Sequence, residues 1–289
     1  MKYNILITGA SGFLGLNLIK ILSQKKYNLI IVSRNSKKKV FQNKYFNKLR
    51  VINNSIKDLE KIKIKLRIDG IIHLATCYGR NGENKENIYN TNYSLPISIY
   101  EIFKSENLKF FINADTYFNS SINFSVGLNH YVNSKKKLIQ SLNRKNTNTK
   151  VVNCIIHHMY GENDSSKKFI PYLVNNFKKD QIINLTKGNQ KKDFIHVIDV
   201  AEAFKLILYN SIKSNESNEV FEIGSGKSYS IRYIVYSLKK ILKSKSKVNF
   251  GILKNRVNEK IIEKADNKNL KKIGWKQKIT LLEGLSFFR

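Results

Sequence analysis

Over the first 156 residues, short apolar runs alternate with longer stretches of helical periodicity, a rhythm that predicts βαβ units and a parallel sheet. Tyr3–Thr8 (YNILIT), Asn28–Ser33 (NLIIVS), Arg50–Asn53, Gly70–Ala75 (GIIHLA), Lys109–Ala114 (KFFINA) and Lys150–Ile156 (KVVNCII) read as strands. Phe13–Lys25, Asn92–Lys104 and Tyr131 to about Arg144 read as helices. Beyond residue 156 the rhythm loosens. His157–Gln190 reads as loop and helix, Phe194–Val197 and Val220–Ile223 as short strands, Ile231–Leu242 as an amphipathic helix, and Asp266–Arg289 as polar helical pieces. The fold expected is α/β: a Rossmann-type doubly wound parallel sheet over residues 1–156. A smaller C-terminal lobe is expected over 157–289, partly interleaved with the main sheet.

Composition adds exclusions. A chain of 289 residues with 42% hydrophobic content can bury a large core, and 11% aromatic content does not suit a disordered chain. No apolar run approaches the roughly 18 residues that cross a bilayer. MKYNILITGASGFLG reaches its glycines too early for a signal peptide. Cys77 and Cys154 are too few for a disulfide framework or a metal knuckle. A soluble, cytoplasmic protein without metal is expected.

Lys+Arg 52 against Asp+Glu 21 gives a net charge of +31. The lysines are spread from end to end in a chain rich in Lys, Asn and Ile, which reads as composition rather than a nucleic-acid footprint. Neither nucleic acid nor a membrane is expected as partner. An anionic substrate is compatible with the charge.

Thr8-Gly9-Ala10-Ser11-Gly12-Phe13-Leu14-Gly15 falls between the first strand and the first helix, where a dinucleotide site belongs. Gly9 allows a tight turn, Gly12 lets the backbone approach a pyrophosphate, and Gly15 lets the helix pack closely on the strand. The second strand ends in Ser33-Arg34-Asn35-Ser36-Lys37, two cations and no carboxylate. That pattern predicts NADP(H), with Arg34 as the main 2′-phosphate partner, assisted by Ser33 and Lys37.

Tyr131 and Lys135 lie four residues apart on one helix face. A phenol titrates near ~10 and needs help to exchange a proton at neutral pH, which a neighbouring ammonium gives by stabilising phenolate. Tyr100/Lys104, Tyr209/Lys213 and Tyr236/Lys240 share the spacing. Only Tyr131 opens the helix after the fifth strand, downstream of the Thr116 hydroxyl in Ile112-Asn-Ala-Asp115-Thr116. Thr116 is expected to hydrogen-bond a substrate carbonyl while Tyr131 delivers its proton.

These pieces, with GIIHLAT (70–76), Asn92, MYGEND (159–164), KFIPYLV (168–174), KKDFIHVIDVAEAF (191–204), EIGSGKSYSI (222–231) and NLKKIGW (269–275), resemble the extended short-chain dehydrogenase/reductases. That is the nucleotide-sugar epimerase/dehydratase/reductase family, and the likeness spans essentially the whole chain. HLATCYG, INADTYF and the short gap from Thr116 to Tyr131 are most similar to the CDP-abequose synthase type of nucleotide-sugar 4-ketoreductase. The resemblance implies NADPH-dependent reduction of the C4 ketone of CDP-4-keto-3,6-dideoxyglucose or a similar sugar, for surface glycan synthesis. Related dehydratases carry an Asp-Glu pair after the hydroxyl residue; here Tyr117-Phe118 follow Thr116, against dehydration.

It further implies cofactor contacts for Gly9, Ser11, Gly12, Phe13, Leu14, Gly15, Ser55, Ile56, Leu74, Ala75, Thr76, Asn92, Tyr131 and Lys135. Lys135 would meet the nicotinamide ribose. Substrate contacts fall to Tyr78, Asp115, His158 and Phe169, with Lys192 and Arg256 at the nucleotide diphosphate. Lys192 stands where many members carry Arg, keeping the charge without the bidentate fork, and Ile155 replaces a frequent arginine. A homodimer through the Asn92–Lys104 and Tyr131–Arg144 helices is implied. Two alternatives stay open: an epimerase that retains NAD, and a non-catalytic dinucleotide sensor or nucleic-acid-associated protein.

Overall fold

The computed structural model describes residues 2–23, 27–34, 49–79, 81–104, 108–120, 128–145, 148–213, 218–255 and 260–289. The chain divides into two units, one of Met1–Ile122, Val126–Ile155 and Ala201–Phe221, the other of Ile156–Val200 and Glu222–Arg289.

The first part of the chain runs β1 (Tyr3–Thr8), α1 (Phe13–Leu22), β2 (Tyr27–Ser33), β3 (Arg50–Asn53), α2 (Ile56–Lys65), β4 (Gly70–His73), α3 (Lys85–Tyr89), α4 (Leu95–Phe103), β5 (Phe110–Thr116), α5 (Asn129–Asn143) and β6 (Lys150–Ile156). There follow β7 (His158–Tyr160), α6 (Phe169–Phe177), β8 (Ile183–Leu185), β9 (Lys191–Lys192), β10 (Phe194–His196), α7 (Val197–Lys213) and β11 (Glu219–Ile223). The chain closes with β12 (Tyr229–Ser230), α8 (Ile231–Ile241), β13 (Val248–Phe250), α9 (Lys268–Lys272) and α10 (Leu281–Ser286).

A seven-stranded parallel sheet has the order β11-β6-β5-β4-β1-β2-β3. The order reverses between β1 and β4, the switch point outside whose strand ends ligands bind in such sheets. Register brings the strand ends to one edge: Thr8 pairs with Val32 and with His73, and His73 with Asn113. Ile5, Leu6, Ile7, Ile30, Ile31, Ile71, Ile72, Phe110, Phe111 and Ile112 are all wholly buried. Near-continuous apolar strands are what a sheet covered on both faces requires. In the second unit, Leu173 and Phe177 of α6, Ile234 and Leu238 of α8, and Leu285 of α10 join one core with Tyr160 and Ile183.

Several boundaries differ from the periodicity reading. β4 stops at His73, so Leu74 and Ala75 leave the strand, whereas β5 continues to Thr116 and carries that hydroxyl to the strand end. The segment expected as a helix from Asn92 begins inside a π-helical turn, Asn90–Ser94, between α3 and α4. Three helices were not anticipated: α2, the short α3 and α7. α2 is short and lysine-rich, and the β-branched start of α7 (VIDV) reads as a continuing strand. Burial of Ala203, Phe204, Ile207 and Leu208 at helical spacing overrides that weak local preference.

Candidate active site

The glycine turn follows Thr8. Gly9 has φ +71°, and a Cβ there would lie 2.4 Å from the Ala75 nitrogen. A Cβ on Gly15 would lie 2.3 Å from the Gly9 carbonyl oxygen, so helix and turn can touch only without side chains. Gly12 N–H donates to that carbonyl at 2.9 Å, and Gly12 itself is exposed. It caps α1 with no side-chain hydrogen bond, and the first turn carries no acid. An uncapped helix start with backbone access suits an anionic diphosphate, so these residues fit a dinucleotide. Ser11 and Phe13 are half-buried, whereas Leu14 is buried in the core, which leaves its backbone for any cofactor contact.

Ser33 ends β2 and Arg34 follows it, exposed; Lys37 lies outside the described residues. The Ser55 hydroxyl caps α2, accepting from Asp58 N–H at 3.2 Å and donating to the Asp58 carboxylate at 2.7 Å. Ile56 opens that helix and is 59% exposed. Past β4, Ala75 N–H donates to the Thr8 hydroxyl and Thr76 Oγ1 to the Leu74 carbonyl.

Thr116, Tyr131 and Lys135 are buried, at 5%, 2% and 1% exposure. Lys135 Nζ donates to the Ala114 carbonyl at 2.8 Å and to Thr76 Oγ1 at 3.2 Å. The Tyr78 ring lies over that of Tyr131, with centroids 4.7 Å apart and planes inclined by 34°.

The expectation that Lys135 lowers the phenol's pKa is corrected here. Burial holds Tyr131 well above the usual phenol range, Tyr78 adds to this, and a hydrogen bond with the Thr116 hydroxyl only partly opposes it. Burial also brings Lys135 down to about 8, against the pull of Asp115. Tyr131 is therefore a protonated phenol at neutral pH, and its burial makes it a weaker acid than a free phenol.

Two expected ligand contacts turn inward instead. Asn92, at 0% exposure in the π-helical turn, accepts from Cys77 N–H at 2.8 Å and donates to the Cys77 carbonyl at 2.9 Å and to Ser134 Oγ at 3.0 Å. Both its side-chain N–H groups are engaged, and they anchor the backbone beside Tyr78. Asp115, expected at the substrate, has both carboxylate oxygens bonded within the protein. Oδ1 accepts from Thr116 N–H and Asn119 Nδ2, and Oδ2 from Asn153 Nδ2. Ser134, Asn119 and Asn153 were missed from sequence. The one available signal was Asn153, a polar residue inside the apolar run KVVNCII.

In the second unit, Lys192 is 5% exposed, and its Nζ donates to Glu263 Oε1 at 3.0 Å and to the Lys260 carbonyl at 3.1 Å. His158 Nε2 meets the other Glu263 oxygen at 2.9 Å. Burial lowers His158 despite Glu263. Burial alone would raise Glu263, but His158 and Lys192 together hold it below the usual carboxylate range. Lys192 is thus a paired charge, and an anionic ligand must compete with Glu263 for it. Phe169 opens α6, half-buried, and Arg256 lies outside the described residues. Among the described residues no group of three His, Cys, Asp or Glu could hold a metal ion, and no helix is long and apolar enough to cross a membrane.

The model of the NAD dependent epimerase/dehydratase family matches residues 5–224. The chain belongs to that family. Within it, the chain is 30% identical over 285 residues to CDP-abequose synthase of Salmonella muenchen, covering 97% of this chain and 95% of the relative. It is 25% identical to dTDP-4-dehydro-6-deoxyglucose reductase of Escherichia coli, covering 98% and 96%. The crystal structure of UDP-glucose 4-epimerase with UDP-glucose from Thermotoga maritima superimposes with a TM-score of 0.83 at 21% identity, covering 99% of this chain and 97% of that one. At that identity the likeness speaks for the epimerase/dehydratase fold. Family membership makes the chain an enzyme of this superfamily, and the Thr116, Tyr131 and Lys135 cluster is its candidate reaction centre.

Proposed function

We propose that the chain is an NADPH-dependent 4-ketoreductase acting on a nucleotide-linked 4-keto-deoxysugar of the CDP-4-keto-3,6-dideoxyglucose type, in surface glycan synthesis. Tyr131 carries the proposal: a buried phenol kept protonated beside the Thr116 hydroxyl, with Tyr117-Phe118 in place of an acid/base pair for elimination. The likeness to CDP-abequose synthase and to a 4-dehydro-sugar reductase supports the same chemistry. Exposed Arg34 at the end of β2 supports NADP(H) over NAD.

When bound, NADPH supplies the hydride that reaches C4 of the sugar. Thr116 Oγ1 orients the ketone oxygen, and Tyr131 transfers its phenol proton to that oxygen as it becomes a hydroxyl. Lys135 is assigned to the nicotinamide ribose, and the phenolate left behind regains its proton once the product leaves and solvent enters the site. Tyr78 and Phe169 are assigned to the sugar nucleotide. Lys192, on release from Glu263, and Arg256 are assigned to its diphosphate. A cytoplasmic homodimer is proposed on the family resemblance.

The test is loss of NADPH absorbance with CDP-, dTDP-, UDP- and GDP-linked 4-ketosugars, with NADH in parallel. Consumption with one of them supports the reductase and names its base. No consumption, with interconversion of intact nucleotide sugars, replaces it with an epimerase.

A further inference from the structure

β5 and β6 are apolar strands interrupted by Asn113, Asp115 and Asn153, which are 0%, 6% and 7% exposed. Polar groups in the middle of a covered sheet are costly unless partnered. Here they form one chain. Asn113 Nδ2 donates to Asn153 Oδ1 at 2.9 Å, and Asn153 Nδ2 to Asp115 Oδ2 at 2.7 Å. Asn119 Nδ2 and the Thr116 N–H donate to Asp115 Oδ1 at 2.6 and 2.8 Å. The carboxylate therefore ties together β6, the turn after β5 and the backbone of Thr116 itself.

Its charge also acts on Lys135, where it opposes the effect of burial. Lys135 Nζ is held at 2.8 Å by the Ala114 carbonyl, the peptide group immediately before Asp115. Asp115 and His73 interact electrostatically with this ammonium. Asp115 on β5 favours it; burial and Lys135 hold His73 on β4 well below its ordinary value, so that ring is neutral; Tyr131, on the same helix, remains an uncharged phenol. Asp115 is the carboxylate that opposes desolvation of Lys135.

We propose that Asp115 is a positioning residue, whose buried carboxylate fixes the backbone that carries the Thr116 hydroxyl and serves as the counter-charge that holds the Lys135 ammonium in the reaction centre. This rests on the assignment of Thr116, Tyr131 and Lys135 to the reaction, and its first test needs no turnover.

Lysine carbons labelled with ¹³C are titrated by NMR in the full-length protein, the Lys135 signal being identified by its loss in Lys135→Arg. The wild-type midpoint is expected near about 8. In Asp115→Asn, which keeps the shape and removes the charge, it falls by about one unit or more. An unmoved midpoint overturns the counter-charge role. Should Asp115→Asn fail to fold, the double variant with Lys135→Met decides. Recovered folding supports the coupling, and failure in both backgrounds overturns it. If ketosugar reduction is observed, Asp115→Glu should keep the Lys135 midpoint but lose about 10²-fold in kcat, with KM for NADPH unchanged. A wild-type kcat overturns the positioning of Thr116. Absence of reduction in the wild type rejects the reductase assignment and leaves the NMR result standing by itself.

Discussion

Replacing Tyr131 with Phe removes one oxygen and leaves the Thr116 and Tyr78 hydroxyls beside the site. The phenol is 2% exposed, so bulk water does not reach the position from which the proton is given. Lys135 directs its hydrogen bonds to Ala114 and Thr76, and Thr116 is itself buried at 5%. General acid catalysis contributes about 10²–10⁴-fold, the range of loss expected here. At about 1.4 kcal/mol per decade, a loss of about 10²–10⁴ in kcat corresponds to roughly 3–5.5 kcal/mol of barrier. The cost to folding is much smaller. The ring still packs on Tyr78, and the lost hydrogen bonding is worth about 1 kcal/mol, or roughly 2–4 °C in Tm for a chain of this size. The assay is NADPH consumption with the active ketosugar, alongside NADPH binding by fluorescence and thermal unfolding. The expected outcome is collapsed turnover with unchanged cofactor affinity and a nearly intact melting curve. Turnover within a few-fold of wild type would remove Tyr131 as the proton donor.

Three further outcomes follow from particular residues. Arg34→Asp places a carboxylate at the end of β2 and should reverse the cofactor preference toward NADH; an unchanged ratio of NADPH to NADH turnover would put the 2′-phosphate elsewhere. Lys135 titrates at about 8 in the fold against an ordinary 10.5, so the unfolded chain binds more protons between those values. Wild-type stability should therefore rise relative to Lys135→Met from pH 8 to 10.5, by about 3 kcal/mol in total, and parallel Tm-against-pH curves would refute it. Asp193 is wholly buried and accepts from Ser225 N–H, Ser225 Oγ, Gly226 N–H and Ala265 N–H. Asp193→Ala strands those donors and should destabilise the protein by about 3 kcal/mol or more in chemical denaturation, against under 1 kcal/mol if the carboxylate is dispensable.

By itself, the sequence determined the alternating sheet, the glycine turn and the order of the hydroxyl, phenol and ammonium. All three rest on local rules. Apolar runs as strongly patterned as YNILIT and GIIHLA have one low-energy placement in a covered sheet, and Gly9 and Gly15 mark contacts too close for a side chain. The position of Tyr131 also stood out from three decoys of equal spacing because it follows the fifth strand. Tertiary structure decided the state of those groups. The phenol's protonation depends on how much water its neighbours exclude, a sum over segments far apart in the chain, and burial reversed the direction expected from the Tyr131/Lys135 spacing. The inward roles of Asn92 and Asp115 depend on Cys77 and Asn153, partners 15 and 38 residues away. Glu263 lies 71 residues from Lys192. No local pattern records such pairings, because hydrogen bonds and ion pairs act through space and only the folded chain brings their ends together.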